Sequence, residues 1–547
     1  MKNPFKFLFL FIFIVTYFNV TGVSAQLAYK NMYLLSNVNS HSSAGEYSAV
    51  WGYKAPDGRE YAILGCYDGT AFIDITDAGN IHQVGFLTST NPASSNNLWR
   101  EMKTYSHYAY IVSEVGNSGI QIVDLQYLPD SIHYVKKFVP AGHTQTHSIS
   151  QSGPYLYLNG CTGNNFGRGV TVFDLTVDPE TPVKRGAYNV DYIHDCRIVD
   201  DTIYAANINS SKVTIINATN KNLLTRITSF VNLPNSGPHN VALTDDRKYI
   251  LVTDEIGSSP RLMKVWNIED LTDITYITSW QPTGITTSIV HNVETYGNYA
   301  VVAHYTAGVR FIDISNPTAP TEVAWYDTYP SDDDGTYEGC WGIYMFPSGK
   351  IVASDRSTGL YVLKTNYNIN VAMEGFYNDV SNNLNMRDTV RAYLREATSP
   401  FDIIDSSESV IDSLTLTGNF KFNVASAGTY YISLKHRNSI ETWSKTGGEN
   451  YNPMTFQTYD FTNSDVQAYG ENVVNVDNSP VRFAMYSGDV NQDGVVDITD
   501  LGYIENDASS FNTGYINTDL NGDNLADITD ESIADNNAFL FVIKITP

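Results

Sequence analysis

Near the end of the chain, GDVNQDGVVDITD begins at Gly488 and TDLNGDNLADITD begins at Thr518, so eight aspartates recur thirty positions apart in register. Positions 1, 3, 5, 9 and 12 of the first twelve-residue loop are Asp489, Asn491, Asp493, Asp497 and Asp500; those of the second are Asp519, Asn521, Asp523, Asp527 and Asp530. That spacing wraps oxygen donors around one hard cation, with the position-7 carbonyl of Val495 or Leu525 adding a backbone ligand. Position 6 requires a left-handed turn, which Gly494 supplies in the first loop and Asn524 tolerates in the second. The expected chemistry is two bound calcium ions, against the plainer reading of two acidic turns. Aspartates so crowded repel one another until cations neutralise them, so the module is expected to be loose without calcium and ordered with it.

A second set of chemical side chains lies upstream. His147, His194, His239 and His291 open the segments HSISQSG, HDCRIVD, HNVALTD and HNVETYG. Neutral imidazoles converging on one point could ligate a transition metal, with carboxylates completing the shell or acting as general base. Whether they converge depends on the elements that carry them. The strings AFIDITD, IQIVDLQ, VTVFDLT, VTIINAT, MKVWNIE, VRFIDIS and LYVLKTN recur at spacings of 50, 50, 43, 50, 46 and 51 residues. Each follows another apolar strand, such as YLYLNGC or YAVVAHY, and precedes a further one, such as VKRGAYN. Four antiparallel strands per unit of this length predict a β-propeller blade, and seven units predict seven blades. The last unit stops after its third strand, and the orphan strand NMYLLSNV (31–38) is expected to complete that blade and close the ring.

In this frame the four histidines start innermost strands at one mouth of the central channel. Arg100 and Glu101 take the place in the second unit, Trp341 near Glu338 in the seventh, and Glu46 lies close by in the first. The ends of second strands add Asp68, Glu114, Asp254, Glu255, His304, Asp355 and Arg356. The ligand or metal candidates drawn from this ring are His147, His194, His239, His291, Glu101, Glu338, Asp254 and Asp355. The competing reading is that polar inner-strand residues bond the backbone of neighbouring blades and fix the ring. No GxSxG elbow, HExxH helix or P-loop is present, and the acidic Ser331–Gly335 stretch reads as a solvated loop.

The chain has 547 residues, with 33 basic and 59 acidic side chains. Lys2 and Lys6, a long apolar run and VSA before Gln26 make residues 1–25 a secretory signal peptide cleaved after Ala25, so a secreted or cell-surface location is expected. The mature net charge of −28 argues against nucleic acid as a partner, and no later run is apolar and long enough to span a membrane. Four cysteines, Cys66, Cys161, Cys196 and Cys340, allow three pairings, among which the sequence does not choose.

The units ending in FIDISNPTAPTEV, with NNLWREMKTY, YIHDC, TYEGCWGIY and IVASDRSTGLYVLK, resemble the LVIVD-repeat, choice-of-anchor B proteins of bacterial surfaces, over about residues 29–365. The resemblance implies an exported propeller attached by varied C-terminal devices and supplies no established reaction. After it, alternating strands over 367–486 predict a β-sandwich, whose stretch YYISLKHRNSIETWS resembles a C-terminal module of many exported bacterial proteins; His436, Arg437 and Trp443 there read as core and turn residues. The loops of 487–547, with aspartate at position 12 and only a following helix, resemble dockerin type I repeats, a variant of the EF-hand. Their shared Ile498–Thr499 and Ile528–Thr529 lie where dockerins contact cohesin, which implies a cohesin-like or cell-surface partner. The expected architecture is therefore mostly β: a seven-bladed β-propeller over 26–366, a β-sandwich, and a small α-helical calcium-binding dockerin-like domain. The expected function is binding or scaffolding of a protein or glycan on the propeller face. The alternative is a metal-dependent extracellular hydrolase, lactonase-like or acting on polysaccharide, that uses the histidine ring.

Overall fold

The structure, a computed structural model, describes residues 28–94, 97–234 and 236–547. The signal-peptide segment lies outside them. The chain is mostly β, and seven antiparallel sheets of four main strands follow one another along residues 47–365. Their first strands are Tyr47–Lys54, Arg100–Tyr105, Ser148–Ser152, Asp195–Val199, Pro238–Leu243, Val293–Tyr296 and Cys340–Met345. Each first strand packs against the first strand of the next sheet, and the seventh packs against the first. This cyclic arrangement is compatible with a propeller.

The core is cut to match. Apolar residues fall into separate clusters, each shared by two neighbouring sheets: Ile63, Met102 and Ile111 join the first and second, and Val301, Phe311, Ile343 and Leu363 join the sixth and seventh. Sheets stacked face to face bury both sides of their middle strands, which is why Glu60–Cys66 is buried at every position. Met32–Val38 pairs antiparallel with Gly359–Thr365 as the outer strand of the seventh sheet. Tyr29–Lys30 adds a short outer strand to the sixth.

Beyond residue 366 a sheet built on Thr389–Glu396 and Gly428–His436 faces one built on Tyr367–Asn370, and the two share a core that includes Ile369, Phe420, Ile432 and Leu434. This part leans on the sixth and seventh sheets: the Tyr33 hydroxyl donates to Asn423 Oδ1 (2.7 Å) and that of Tyr299 to the Phe456 carbonyl (3.2 Å). Two helices, Ile498–Ser509 and Ile528–Phe539, follow the aspartate loops. Each is capped by position 9 of its loop, Asp497 or Asp527, in a box completed by position 12, Asp500 or Asp530. The helices are not a loose appendage. Asp388 is shared by His436 (3.1 Å), Arg437 (2.8 Å) and the Tyr515 hydroxyl (2.5 Å), and the Asn438 amide donates to the Asp519 carbonyl (2.8 Å). No helix of the described residues is long and apolar enough to cross a membrane. All four cysteines are buried and unpaired.

Candidate metal centre

The backbone places the histidines. The amide of His147 donates to the Asn159 carbonyl, that of His194 to Ala206 and that of His291 to Ala303, which fixes each at the entry of an innermost strand. Alternation of side chains then divides the work. The residues one and three beyond the histidine stitch sheets together: Ser148 Oγ donates to the His194 carbonyl (2.7 Å), Ser150 Oγ to Cys196 (2.6 Å), and Asn240 Oδ1 accepts from the Val293 amide (3.1 Å). The bonding of neighbouring sheets thus falls mainly to the serines and asparagines.

The imidazoles stand in one continuous row. Ring centroids are separated by 4.0 Å for His147 and His194, 4.5 Å for His194 and His239, and 4.1 Å for His239 and His291. Three have their Nδ1 side held from outside: His147 by Glu114 Oε1 (2.6 Å), His194 by the Tyr192 hydroxyl (3.2 Å), and His291 by the Trp341 carbonyl (2.5 Å). Their Nε2 atoms are left to face inward. His147 Nε2 and His194 Nε2 lie 3.0 Å apart, and Nε2 of His239 and of His291 each lie 3.6 Å from a Glu255 oxygen. His194, His239 and Glu255 each offer a ligand atom within 4.8 Å of the others. Two nitrogens bound to one ion at about 2.0–2.1 Å lie roughly 2.9–3.4 Å apart at octahedral to tetrahedral angles, so His147 and His194 have the spacing of a ligand pair.

Protonation states agree with that use. Burial, followed by the other three imidazoles, holds His194 well below the usual imidazole value; burial and then His239 do the same for His291. His147 goes the other way: burial works against its charge, but the Glu114 carboxylate outweighs it and raises the value.

Above the row opens a mouth of about 540 Å³ lined by Trp99, Glu114, Glu255, Tyr305, Tyr337 and Trp341 besides the histidines. The Tyr305 hydroxyl donates to Glu255 Oε1 (2.8 Å), and Trp99 packs on Trp341 with centroids 5.0 Å apart. Two further chambers adjoin it, both lined by Glu101, Asp195 and Asn292.

The remaining sequence candidates are placed elsewhere. Glu101 lines the adjoining chambers, bound to Lys103 (2.8 Å) and to the Ile149 amide (3.0 Å). Asp254 turns away from the channel into a buried ion pair with Lys264 (2.6 Å). Its neighbour Glu255 enters the mouth instead, because successive residues of an extended chain face opposite sides. Asp355 is buried against the Thr328 hydroxyl (2.8 Å) and caps the turn at Ser357, and Glu338 accepts from the Ser357 hydroxyl (2.9 Å) outside the lining of the mouth. Glu46 and Arg356 pair with each other. Tyr192, Tyr305, Trp99 and Tyr337 were not singled out from sequence; Tyr192 stands two residues before His194, on the same side of an extended chain, and that parity was the available signal.

His304, also from the ring, is buried beside the Ser288 hydroxyl (3.0 Å) and away from the row. Burial pushes it from 6.5 down to about 3. An imidazole kept neutral in the fold but free to charge when unfolded contributes stability in full above about pH 6.5, and that contribution is lost as pH falls toward 3. The expected cost between pH 7 and 5 is about 2 kcal/mol from this group. His304→Gln is therefore expected to flatten the acid side of the stability curve measured by denaturant titration.

In the C-terminal loops, Asp489, Asp500, Asp519 and Asp530 are each at most 2% exposed. Asp500 accepts from the amides of Val490 and Asn491 and Asp530 from those of Leu520 and Asn521, drawing positions 2 and 3 toward position 12. Asp489 Oδ1 is buried with no hydrogen-bond partner, and burial followed by the Asp500 charge pushes its carboxyl up to about 6. A buried carboxylate oxygen without a donor, in a loop of converging oxygens, fits a calcium ion.

A match to the family described as "LVIVD repeat" covers residues 289–328, which span His291 and most of the sixth sheet. No curated protein matches the chain. Among solved structures, a protein of Bacteroides fragilis named as a candidate 6-phosphogluconolactonase is similar at 14% identity and a TM-score of 0.43, covering 59% of this chain and 91% of its own. A protein from Lactobacillus plantarum gives 14% identity and a TM-score of 0.44 with the same coverage. Likeness at that level carries no argument about what the site does.

Proposed function

We propose that this protein is an exported seven-bladed β-propeller (26–366) that works as a metal-dependent hydrolase, carried by a β-sandwich (367–486) and a calcium-stabilised, dockerin-like pair of loops (487–547). One observation carries the reading of the propeller: inward-facing Nε2 atoms on adjacent rings, 3.0 Å apart at His147 and His194, with the opposite ring nitrogens held from outside. Polar residues that only tie sheets together have no need of such a row. Adjacent members of the row, His194 with His147 or with His239, would hold the ion, a transition metal by the nitrogen donors. When bound, such an ion supplies Lewis acidity and a water of lowered pKa.

The chain's own groups take the other roles. Glu255, fixed by Tyr305 and flanked by His239 and His291, is placed to accept a proton at Oε2. Glu114 orients His147 and balances its charge. Trp99 and Trp341 give the mouth flat apolar walls that seat a sugar or lactone ring and displace water. The loops 489–500 and 519–530 would hold one calcium each and fasten the enzyme to a cohesin-like or other cell-surface partner. The runner-up is the purely binding propeller, favoured by the same aromatic walls, which would hold a protein or glycan ligand without any ion.

The test is elemental analysis of the mature protein, followed by removal of metal, reloading with zinc, manganese or iron, and assay on lactones, esters and polysaccharides. Stoichiometric transition metal and hydrolysis that returns with it are expected. A mouth that retains no metal, with glycan or protein binding intact, would return the propeller to the binding reading.

A further inference from the structure

Outside the channel, on the first sheet, a second group of ligand-type side chains comes together. Cys66 ends the strand Glu60–Cys66, Asp68 follows in the turn, and His41 reaches over from the loop after Val38. Cys66 Sγ, a ring nitrogen of His41 and a carboxylate oxygen of Asp68 lie within 4.8 Å of one another.

Three features distinguish this group from chance proximity. The His41 ring is oriented from behind: it stacks on Phe86 with centroids 4.3 Å apart and planes at 11°, and its Nε2 lies 2.8 Å from Gln83 Oε1. A carboxamide oxygen only accepts, so Nε2 donates to Gln83 and Nδ1 is the nitrogen that faces Asp68 Oδ1, at 3.5 Å. Asp68 Oδ1 is itself buried and accepts no hydrogen bond. Nδ1 and this oxygen therefore face each other beside a thiol that is fully buried and bonded only to backbone, at long range to the Leu64 carbonyl (3.7 Å) and to Ala71. The loop that carries His41 is pinned as well, since the Tyr47 hydroxyl accepts from the His41 amide (2.8 Å) and donates to Asn39 Oδ1 (2.8 Å).

We propose that Cys66, His41 and Asp68 form a second metal site, separate from the histidine row and selective for a thiolate-accepting ion of the zinc type. Sulfur, imidazole nitrogen and carboxylate oxygen are the zinc donor set, and three protein ligands leave a fourth position for water. Held behind the ring nitrogen that binds, Gln83 plays the part that carboxylates and carbonyls play behind metal-bound histidines. Binding breaks the Cys66 S–H bond, forms the metal–sulfur bond and releases that proton to solvent, while His41 contributes the lone pair of Nδ1. Burial and then the Asp68 charge push the thiol up to about 12, a direction that a divalent ion reverses.

The experiment uses full-length mature protein stripped of metal and titrated with cobalt(II), then zinc(II). One equivalent of cobalt is expected to give a thiolate-to-cobalt charge-transfer band with release of about one proton, and zinc to abolish the band with no further release. Cys66→Ala should remove the band. His41→Ala, on the surface loop and checked for an unchanged melting temperature, should weaken zinc at least tenfold. His194→Ala should leave the band as it was. Absence of any thiolate band, persistence of the band in Cys66→Ala, or equal zinc affinity in His41→Ala would each overturn the site. Because the row contains no sulfur, failure here leaves the histidine reading standing, and the converse also holds.

Discussion

Replacing His194 and His239 together with alanine is expected to remove the transition metal proposed for the histidine row while leaving the ring folded. His194 is shared by two neighbours, lying 3.0 Å from His147 Nε2 and packing on His239, so removing this pair leaves no two adjacent imidazoles in the row. Loss of the stoichiometric ion by elemental analysis, and of hydrolysis with it, is the expected result. The ring should survive because its sheets are joined by Ser148, Ser150, Asn240 and the apolar clusters, none of which is touched. Glu114→Gln supplies the graded control. Its carboxylate sets the orientation and charge of His147 without facing the gap, and loss of such an outer partner costs about 10–100-fold in metal affinity. A double variant that loses no equivalent of metal relative to the parent, or a Glu114→Gln protein that binds equally well, would remove the basis of the proposed centre.

The second large effect is on the C-terminal module. Chelation selective for calcium is expected to lower its melting transition and reduce helical signal, while the propeller transition stays where it was. Four carboxylates at most 2% exposed have to remain close together in the absence of cations, and the Asp489 carboxyl responds by rising to about 6. A ligand at a thousandfold excess over its Kd stabilises by about 4 kcal/mol per site, so two loops together decide whether this part of the chain is folded. The first loop should be the more dependent, because Arg437 already brings a cation to 3.8 Å from Asp519 in the second. Asp500→Ala should therefore mimic chelation more completely than Asp530→Ala in calorimetry. Identical calorimetric traces with calcium and with chelator would exclude calcium as a structural ion here.

Much of this arrangement could be read in the chain. The spacing of 43 to 51 residues and the histidines opening HSISQSG, HDCRIVD, HNVALTD and HNVETYG placed four imidazoles at matching points of successive units. What spacing alone withholds is the direction of each side chain at a strand end. Asp254 and Glu255 are neighbours, yet one is buried against Lys264 and the other opens into the mouth; a shift of one residue in an extended chain decides which. Asp355 follows the same logic, spent on a turn at Ser357. His41, Cys66 and Asp68 could not be grouped from sequence, because His41 belongs to a loop whose path is set by Tyr47 and Phe86. The cysteines, open to three pairings in the sequence, are dispersed among sheets and stay as thiols.

The pairing of Met32–Val38 with Gly359–Thr365 carries a consequence for how the chain acquires its shape. The outer strand of the seventh sheet is among the first segments to emerge and waits for a partner more than three hundred positions later. Six sheets can assemble from local hairpins as they appear, but the circle is sealed only after nearly two thirds of the chain has been made. Contacts of such long range slow folding, and until they form the outer edge of Gly359–Thr365 is open to other strands. The histidine row, built from the third to sixth sheets, can thus be assembled before its enclosure is locked, with the last step of folding fixing the rim around it.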